Sequence, residues 1–145
     1  MKFRLATKED KNQLKKLDSI SANTDIFNGE KSFILNKKGL IDFYLNKKGL
    51  LVIEDKGQII GYVLSQQINW MHGIKDLVWI EHICIHPNYR NKGIGKKLLK
   101  YVKKYYKGKA QFLYGEIHPL NKISQALFKS CKSEFVDRIL VFIKL

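Results

Sequence analysis

The sequence predicts a single α/β domain over residues 1–145, a mixed central β-sheet flanked by helices in the order β-α-α-β-β-β-α-β-α-β-β. Three observations carry that expectation. Apolar runs of strand length, such as Leu77 to Ile85, alternate with segments of helical period, such as Lys96 to Tyr106. Gly and Asn stand at the joints between them, as turns and helix ends require. No linker or low-complexity stretch divides the chain, and 145 residues suffice for one core.

Taken in order, Phe3 to Ala6 reads as the first strand. Thr7 with Asp10 three residues on is a helix-opening pair, and Leu14 and Leu17 share one face of a helix running to about Ser19. Ser21 to Gly29 is polar and reads as a loop. Ser32 to Lys48 reads as helix in pieces, broken at Gly39 and Gly49. Asn36-Lys37-Lys38-Gly39-Leu40 recurs as Asn46-Lys47-Lys48-Gly49-Leu50, which suggests two helix ends with one shared glycine stop. Leu50 to Glu54, Asp55-Lys56-Gly57 and Gln58 to Gln67 form a hairpin pattern. Asn69 to Asp76 is a loop, and Leu77 to His86 a long strand. In the helix that follows, Leu98, Leu99, Val102 and Tyr106 face inward, with Lys96, Lys100, Lys103 and Lys107 on the other side. Gln111 to Ile117 reads as a strand. Lys122 to Cys131 reads as a helix with Ile123, Ala126 and Leu127 inward, and Phe135 and Ile139 to Leu145 supply the last strands.

Composition narrows the function classes. Apolar residues make up 45%, ordinary for a globular protein, and no apolar run reaches membrane-spanning length. The first residues carry no apolar signal core, so a cytoplasmic location is expected. Two cysteines, Cys84 and Cys131, make neither a disulfide framework nor a metal set, and Cys84 reads as a small buried hydrophobe. The net charge of +14 comes almost wholly from lysine, since Arg4, Arg90 and Arg138 are the arginines. Such a surface attracts anions. It carries no nucleic-acid recognition motif, so a solvated lysine face is preferred to a nucleic-acid partner.

The stretch with most chemical content is His86-Pro87-Asn88-Tyr89-Arg90-Asn91-Lys92-Gly93-Ile94-Gly95-Lys96. Strand, glycine-bearing turn and helix together make an anion site, because the first N–H groups of a helix lack partners of their own. The spacing Arg-x-x-Gly-x-Gly is neither the dinucleotide fingerprint nor a Walker loop. A pyrophosphate is the expected guest.

The motif and its setting resemble the GNAT superfamily of acetyl-CoA-dependent N-acetyltransferases, most strongly from Trp79 to Leu99 and from Leu113 to Phe128. The resemblance implies that the loop and helix start, Arg90, Asn91, Lys92, Gly93, Ile94, Gly95 and Lys96, hold the CoA pyrophosphate. It implies that Ile83, Cys84 and Ile85 line the pantetheine arm, and that Asn121 opens the next helix beside the cofactor. Two carboxylates match bases of different branches: Glu81 the polyamine acetyltransferase pattern, Glu116 the alanine N-acetyltransferase pattern Glu-x-x-x-x-Asn. Either can take the proton that an ammonium must lose before attack. Where many members carry a tyrosine that protonates the leaving thiolate, this chain has Phe128, and Lys132-Ser133 stands where Gly-Phe is common.

The resemblance leaves the acceptor open. Asn69-Trp70-Met71-His72-Gly73 is a candidate pocket wall, and His72 and His118 are candidate relays. The net charge opposes a free polyamine, although Glu81, Glu116 and Asp76 can reverse that within a Debye length of about 8 Å. The expected function is acetyl transfer from acetyl-CoA by direct attack of a primary amine, with a protein or peptide amine as first acceptor class. A small amine is the alternative, and an acetyl-CoA-binding module without turnover the third reading. The expected partners are acetyl-CoA and the amine, with no metal, no membrane and no nucleic acid; a homodimer stays open.

Overall fold

A computed structural model describes residues 1–21, 33–68 and 76–136. Among the described residues five strands form one sheet in the order β1-β2-β3-β4-β5: β1 (Lys2–Leu5), β2 (Leu50–Asp55), β3 (Gln58–Ile68), β4 (Leu77–Ile85) and β5 (Phe112–Tyr114). Neighbours are antiparallel except β4 and β5, which run parallel. Four α-helices among the described residues flank it: α1 (Lys11–Ser21), α2 (Leu40–Asn46), α3 (Ile94–Tyr106) and α4 (Lys122–Lys129). The mixed sheet with flanking helices is the expected architecture.

Each face of the sheet has its own core. Val52, Tyr62, Leu64 and Cys84 pack against Leu14 and Leu17 of α1 and Ile41 and Tyr44 of α2. Leu51, Ile53, Val63, Val78 and Ile80 pack on the other face against Ile94, Leu98, Leu99, Val102 and Tyr106 of α3. The expected apolar stripe of α3 is thus buried, and Lys96, Lys100, Lys103 and Lys107 are exposed. No helix among the described residues is long and apolar enough to cross a membrane.

Several element boundaries differ from expectation for identifiable reasons. The β2–β3 turn is two residues, Lys56 and Gly57, both at positive φ (49° and 79°), the geometry that suits a right-twisted hairpin. Residue Ser21 closes α1 rather than opening a loop; residues 22–32 lie outside the described part. α3 starts at Ile94, two residues early, because Gly93 at φ +70° already turns the chain and the Lys97 N–H bonds its carbonyl at 3.1 Å. β5 ends at Tyr114, not Ile117, because its pairing with β4 stops at Trp79.

The two five-residue repeats also do different work. Gly39 takes φ +78° and opens α2 rather than stopping a helix. At Gly49 a Cβ would stand 1.8 Å from the Ser65 carbonyl oxygen, so glycine is required by close approach of β3. In α4 the inward residues are Leu127 and Phe128; Ile123 is 81% exposed and Ala126 is exposed too, correcting the expected face. The helix is a short one laid against the first turn of α3, so only its C-terminal half reaches the core. Phe135 lies in irregular chain and is half exposed, not in a strand; the remainder of the expected final strands, 139–145, lies outside the described residues.

Candidate active site

β4 organises the site through an irregularity. Its register with β3 pairs Leu64 with His82 and Ser65 with Ile80, which leaves Glu81 as the extra residue of a bulge. The bulge reverses the side-chain parity of the strand. Val78 and Ile80 face α3 before it, and Ile83 and Ile85 face α3 after it. His82 and Cys84 turn to the α1/α2 face, where His82 stacks on Tyr62 with ring centroids 5.7 Å apart.

On its other edge β4 pairs with β5 only through Leu77, Val78 and Trp79. Beyond that the strands part. Gly115 continues close to β4 there: a Cβ on it would lie 3.4 Å from the Ile80 carbonyl oxygen and 3.6 Å from the Phe128 ring. Ile83, Cys84 and Ile85 therefore sit on a stretch of β4 with no β5 partner among the described residues. A backbone edge left open in this way is what an extended amide-bearing arm can pair with, so the residues present fit a pantetheine chain.

At the end of β4 the turn leads into α3. Gly93 lies at φ +70° and Asn91 at φ +59°, and a Cβ on Gly93 would meet nothing within 4 Å, so the helix mouth is open. The first helical bond comes from the Lys97 N–H, which leaves the N–H groups of Ile94, Gly95 and Lys96 at the mouth without helical acceptors. That suits a pyrophosphate. Gly95 has a second reason to be glycine: a Cβ would come within 3.2 Å of a Leu127 methyl, so its absence seats α4 on α3. The Arg90 guanidinium bonds the Ile85 carbonyl at 3.0 Å and the Ser21 carbonyl at 3.2 Å, tying the turn to the ends of β4 and α1. The Lys92 ammonium bonds the Asn88 carbonyl at 2.9 Å. Asn121 caps α4, its side-chain oxygen accepting the Ser124 N–H at 3.0 Å.

The two candidate bases differ in setting. Glu81 is an exposed residue whose carboxyl is partly desolvated, which raises its pKa against the opposing pull of Lys37, and the hydroxyl of buried Tyr44 donates to its Oε2. Glu116 is exposed, in the irregular chain after β5, and accepts the Tyr114 hydroxyl at 2.6 Å. A raised pKa is the direction of shift that suits a carboxylate acting as a base. Cys84 is buried, and burial pushes its thiol up to about 11, so at neutral pH it carries no thiolate. Phe128 is half-buried beside Gly115, close to where β4 and β5 part, and offers no proton. His118 accepts the Leu120 N–H at Nδ1, 3.1 Å. The expected acceptor wall, Asn69, Trp70, Met71, His72 and Gly73, lies outside the described residues. Among the described residues no cluster of His, Cys, Asp and Glu could hold a metal.

Sequence reasoning missed Tyr44 and the bulge. The bulge has a local signal, two polar residues, Glu81 and His82, interrupting the apolar alternation of β4. Tyr44 has none, because its partner is 37 residues away in sequence.

Comparisons with known proteins agree with this fold. The profile of the acetyltransferase (GNAT) family matches residues 20–132. No curated protein matches the chain. Among solved structures, the aminoglycoside 6'-N-acetyltransferase of Acinetobacter haemolyticus superposes with a TM-score of 0.77 at 17% identity, covering 100% of this chain and 99% of that one. An aminoglycoside acetyltransferase in complex with a bisubstrate analogue of CoA and acetylneamine gives a TM-score of 0.77 at 19% identity, covering 99% of this chain and 97% of that one. A Bacillus halodurans protein gives 0.73 at 16% identity, covering 100% of each chain. At these identities the likeness is one of fold. The family match spans most of the sequence, and the chain belongs to the GNAT acetyltransferase family.

Proposed function

We propose that this GNAT acetyltransferase, taken as one domain over residues 1–145, moves acetyl from acetyl-CoA to a primary amine of a small molecule by direct attack. The observation that carries the reading is the bulge at Glu81. It puts a partly desolvated carboxylate at the point where β4 loses its β5 partner, next to the backbone edge of Ile83 to Ile85. Glu81 takes the proton from the incoming ammonium, directly or through water. The amine lone pair then attacks the thioester carbonyl, and a backbone N–H of the open β4 stretch stabilises the oxyanion. Collapse expels the CoA thiolate, and the second proton leaves the nitrogen for water or the thiolate, giving the neutral amide. A thiol with an ordinary pKa of about 8.5 is a fair leaving group, so Phe128 in place of an acid is tolerable. The N–H groups at the α3 mouth hold the pyrophosphate, with Arg90 bracing the turn behind them. Cys84, buried and protonated, takes no part as a nucleophile.

The small-amine acceptor is favoured over the protein or peptide amine because the aminoglycoside acetyltransferases cover 97–99% of their own length with this chain. A panel tests it: release of free CoA thiol is followed with neamine, spermidine, a peptide with a free α-amine and a peptide with one lysine. We expect the highest kcat/KM with neamine or spermidine. A peptide favoured over both would overturn the acceptor class, and no turnover with any amine would point to acetyl-CoA binding without transfer.

A further inference from the structure

Tyr44 is almost wholly buried, at 1% exposure, yet it is not a pure core residue. Its ring belongs to the cluster beneath α1 and α2, and its hydroxyl ends on the Glu81 carboxylate. We infer that Tyr44 is the positioning residue of the base: its hydroxyl fixes the orientation of the Glu81 carboxylate and stabilises the ionised form. The inference rests on Glu81 being the base.

The backbone explains why the two groups meet. Gly49 donates its N–H to the Tyr44 carbonyl at 2.9 Å, and the Tyr44 ring lies 3.4 Å from where a Gly49 Cβ would be. The Gly49 carbonyl accepts the Ser65 N–H at 2.8 Å and the Ser65 hydroxyl at 3.0 Å. Ser65 stands at the register break on β3, opposite the bulge that projects Glu81. The path Tyr44, Gly49, Ser65, bulge, Glu81 therefore closes on itself. The end of α2 is indexed to the irregularity that places the carboxylate, over a distance no local sequence signal spans. A carboxylate on the exposed side of a bulge has free χ angles unless something holds it, and Tyr44 is the buried donor that does.

The chemistry has a definite sign. A donor to a carboxylate favours its charged form and lowers its pKa. Burial raises Glu81 and Lys37 opposes it, and a hydroxyl donated by Tyr44 acts in the same sense as Lys37. Tyr44→Phe removes the hydroxyl and keeps the ring in the core. The Glu81 side-chain carboxyl is followed by carbon-13 NMR over a pH series, in wild type and Tyr44→Phe, which needs no acceptor. We expect its titration midpoint to rise by about one pH unit in the variant. In wild type the Tyr44 ring carbons should titrate with the Glu81 midpoint, and that titration should vanish in Glu81→Gln. This second measurement stands even where Tyr44→Phe folds poorly. With the best amine of the panel, the acidic limb of kcat/KM should move up in parallel. The kcat near pH 7 should fall about tenfold, with KM for acetyl-CoA unchanged.

A Glu81 midpoint unmoved by Tyr44→Phe overturns the inference. So does a lowered melting temperature with an unshifted limb, which would make Tyr44 a packing residue only. If Glu81→Gln keeps full kcat/KM near neutrality, the base reading itself is wrong. If Glu81→Gln is impaired and the Tyr44→Phe limb stays in place, only the positioning role fails.

Discussion

The two faces of the sheet are built from different chemistry. The α3 face is a run of aliphatic side chains, Leu51, Ile53, Val63, Val78, Ile80, Leu98, Leu99 and Val102, with one hydroxyl pair, Ser65 and Tyr106, 3.0 Å apart at its end. The α1/α2 face buries titratable groups. Asp18, 3% exposed, accepts the Tyr62 hydroxyl at 2.6 Å and the Leu35 N–H at 2.9 Å; His82 stacks on Tyr62, and Tyr44 reaches Glu81. The difference teaches how the labour is divided. In the proposed function, the α3 mouth would hold the cofactor through backbone N–H groups, which need only a rigid apolar bed beneath them. The proposed base needs a side chain whose charge is tuned by its surroundings, and Glu81 meets Tyr44 on the opposite face.

The comparison breaks most readily at Glu81. Glu81→Gln should lower kcat/KM near pH 7 by about 10²–10⁴, and by less at high pH, where the free amine is abundant. Glu116→Gln should cost only a few-fold. Steady-state rates over a pH series check this, and equal losses in the two variants would remove the distinction between them.

On the aliphatic face the largest effect is on stability. Leu98, fully buried on α3, should cost about 2–5 kcal/mol when cut to alanine. Denaturant titration measures it. A value near zero would mean that α3 is not packed as a rigid bed.

The titratable face should be the acid-sensitive one. Burial holds the His82 pKa below its usual value, with the Asp18 carboxylate acting in the other direction. The unfolded imidazole therefore takes up a proton first, near the ordinary value of about 6.5. Stability is full above that pH and declines as pH falls through it toward the lower folded value. His82→Phe should flatten the decline in melting temperature between about pH 7 and 5. An unchanged slope would place the acid sensitivity elsewhere.

The smallest effect is expected at Phe128. Phe128→Tyr adds a phenol near the strand parting, but if the thiolate leaves unaided, kcat should change by less than about twofold. A clear gain in kcat with a moved alkaline limb would show that departure of the thiolate limits the rate.

Much of the fold was legible because it is local. The hairpin at Lys56-Gly57 and the buried stripe of α3 follow from turn chemistry and helical period. The glycine turn at Gly93 was legible for the same reason. Two of the three expected inward residues of α4 were misread, since Ile123 and Ala126 satisfy the period but are exposed; Leu127, expected inward, meets α3 because Gly95 lets it. The two copies of Asn-Lys-Lys-Gly-Leu looked equivalent and are not, because the identity of Gly49 is set by Ser65 across the sheet.

The sequence by itself determined the class of fold and the open-mouthed helix start after β4, while the two candidate carboxylates came from its resemblance to the GNAT superfamily. The first two rest on contacts between residues near in the chain, and those leave a periodic or positional trace. Which carboxylate is desolvated, which way β4 turns its side chains after the bulge, and which hydroxyl holds Glu81 were decided only in the tertiary structure. Burial and strand register are sums over residues from distant segments, and Tyr44 reaches Glu81 only once Gly49 and Ser65 have brought β2 and β3 together.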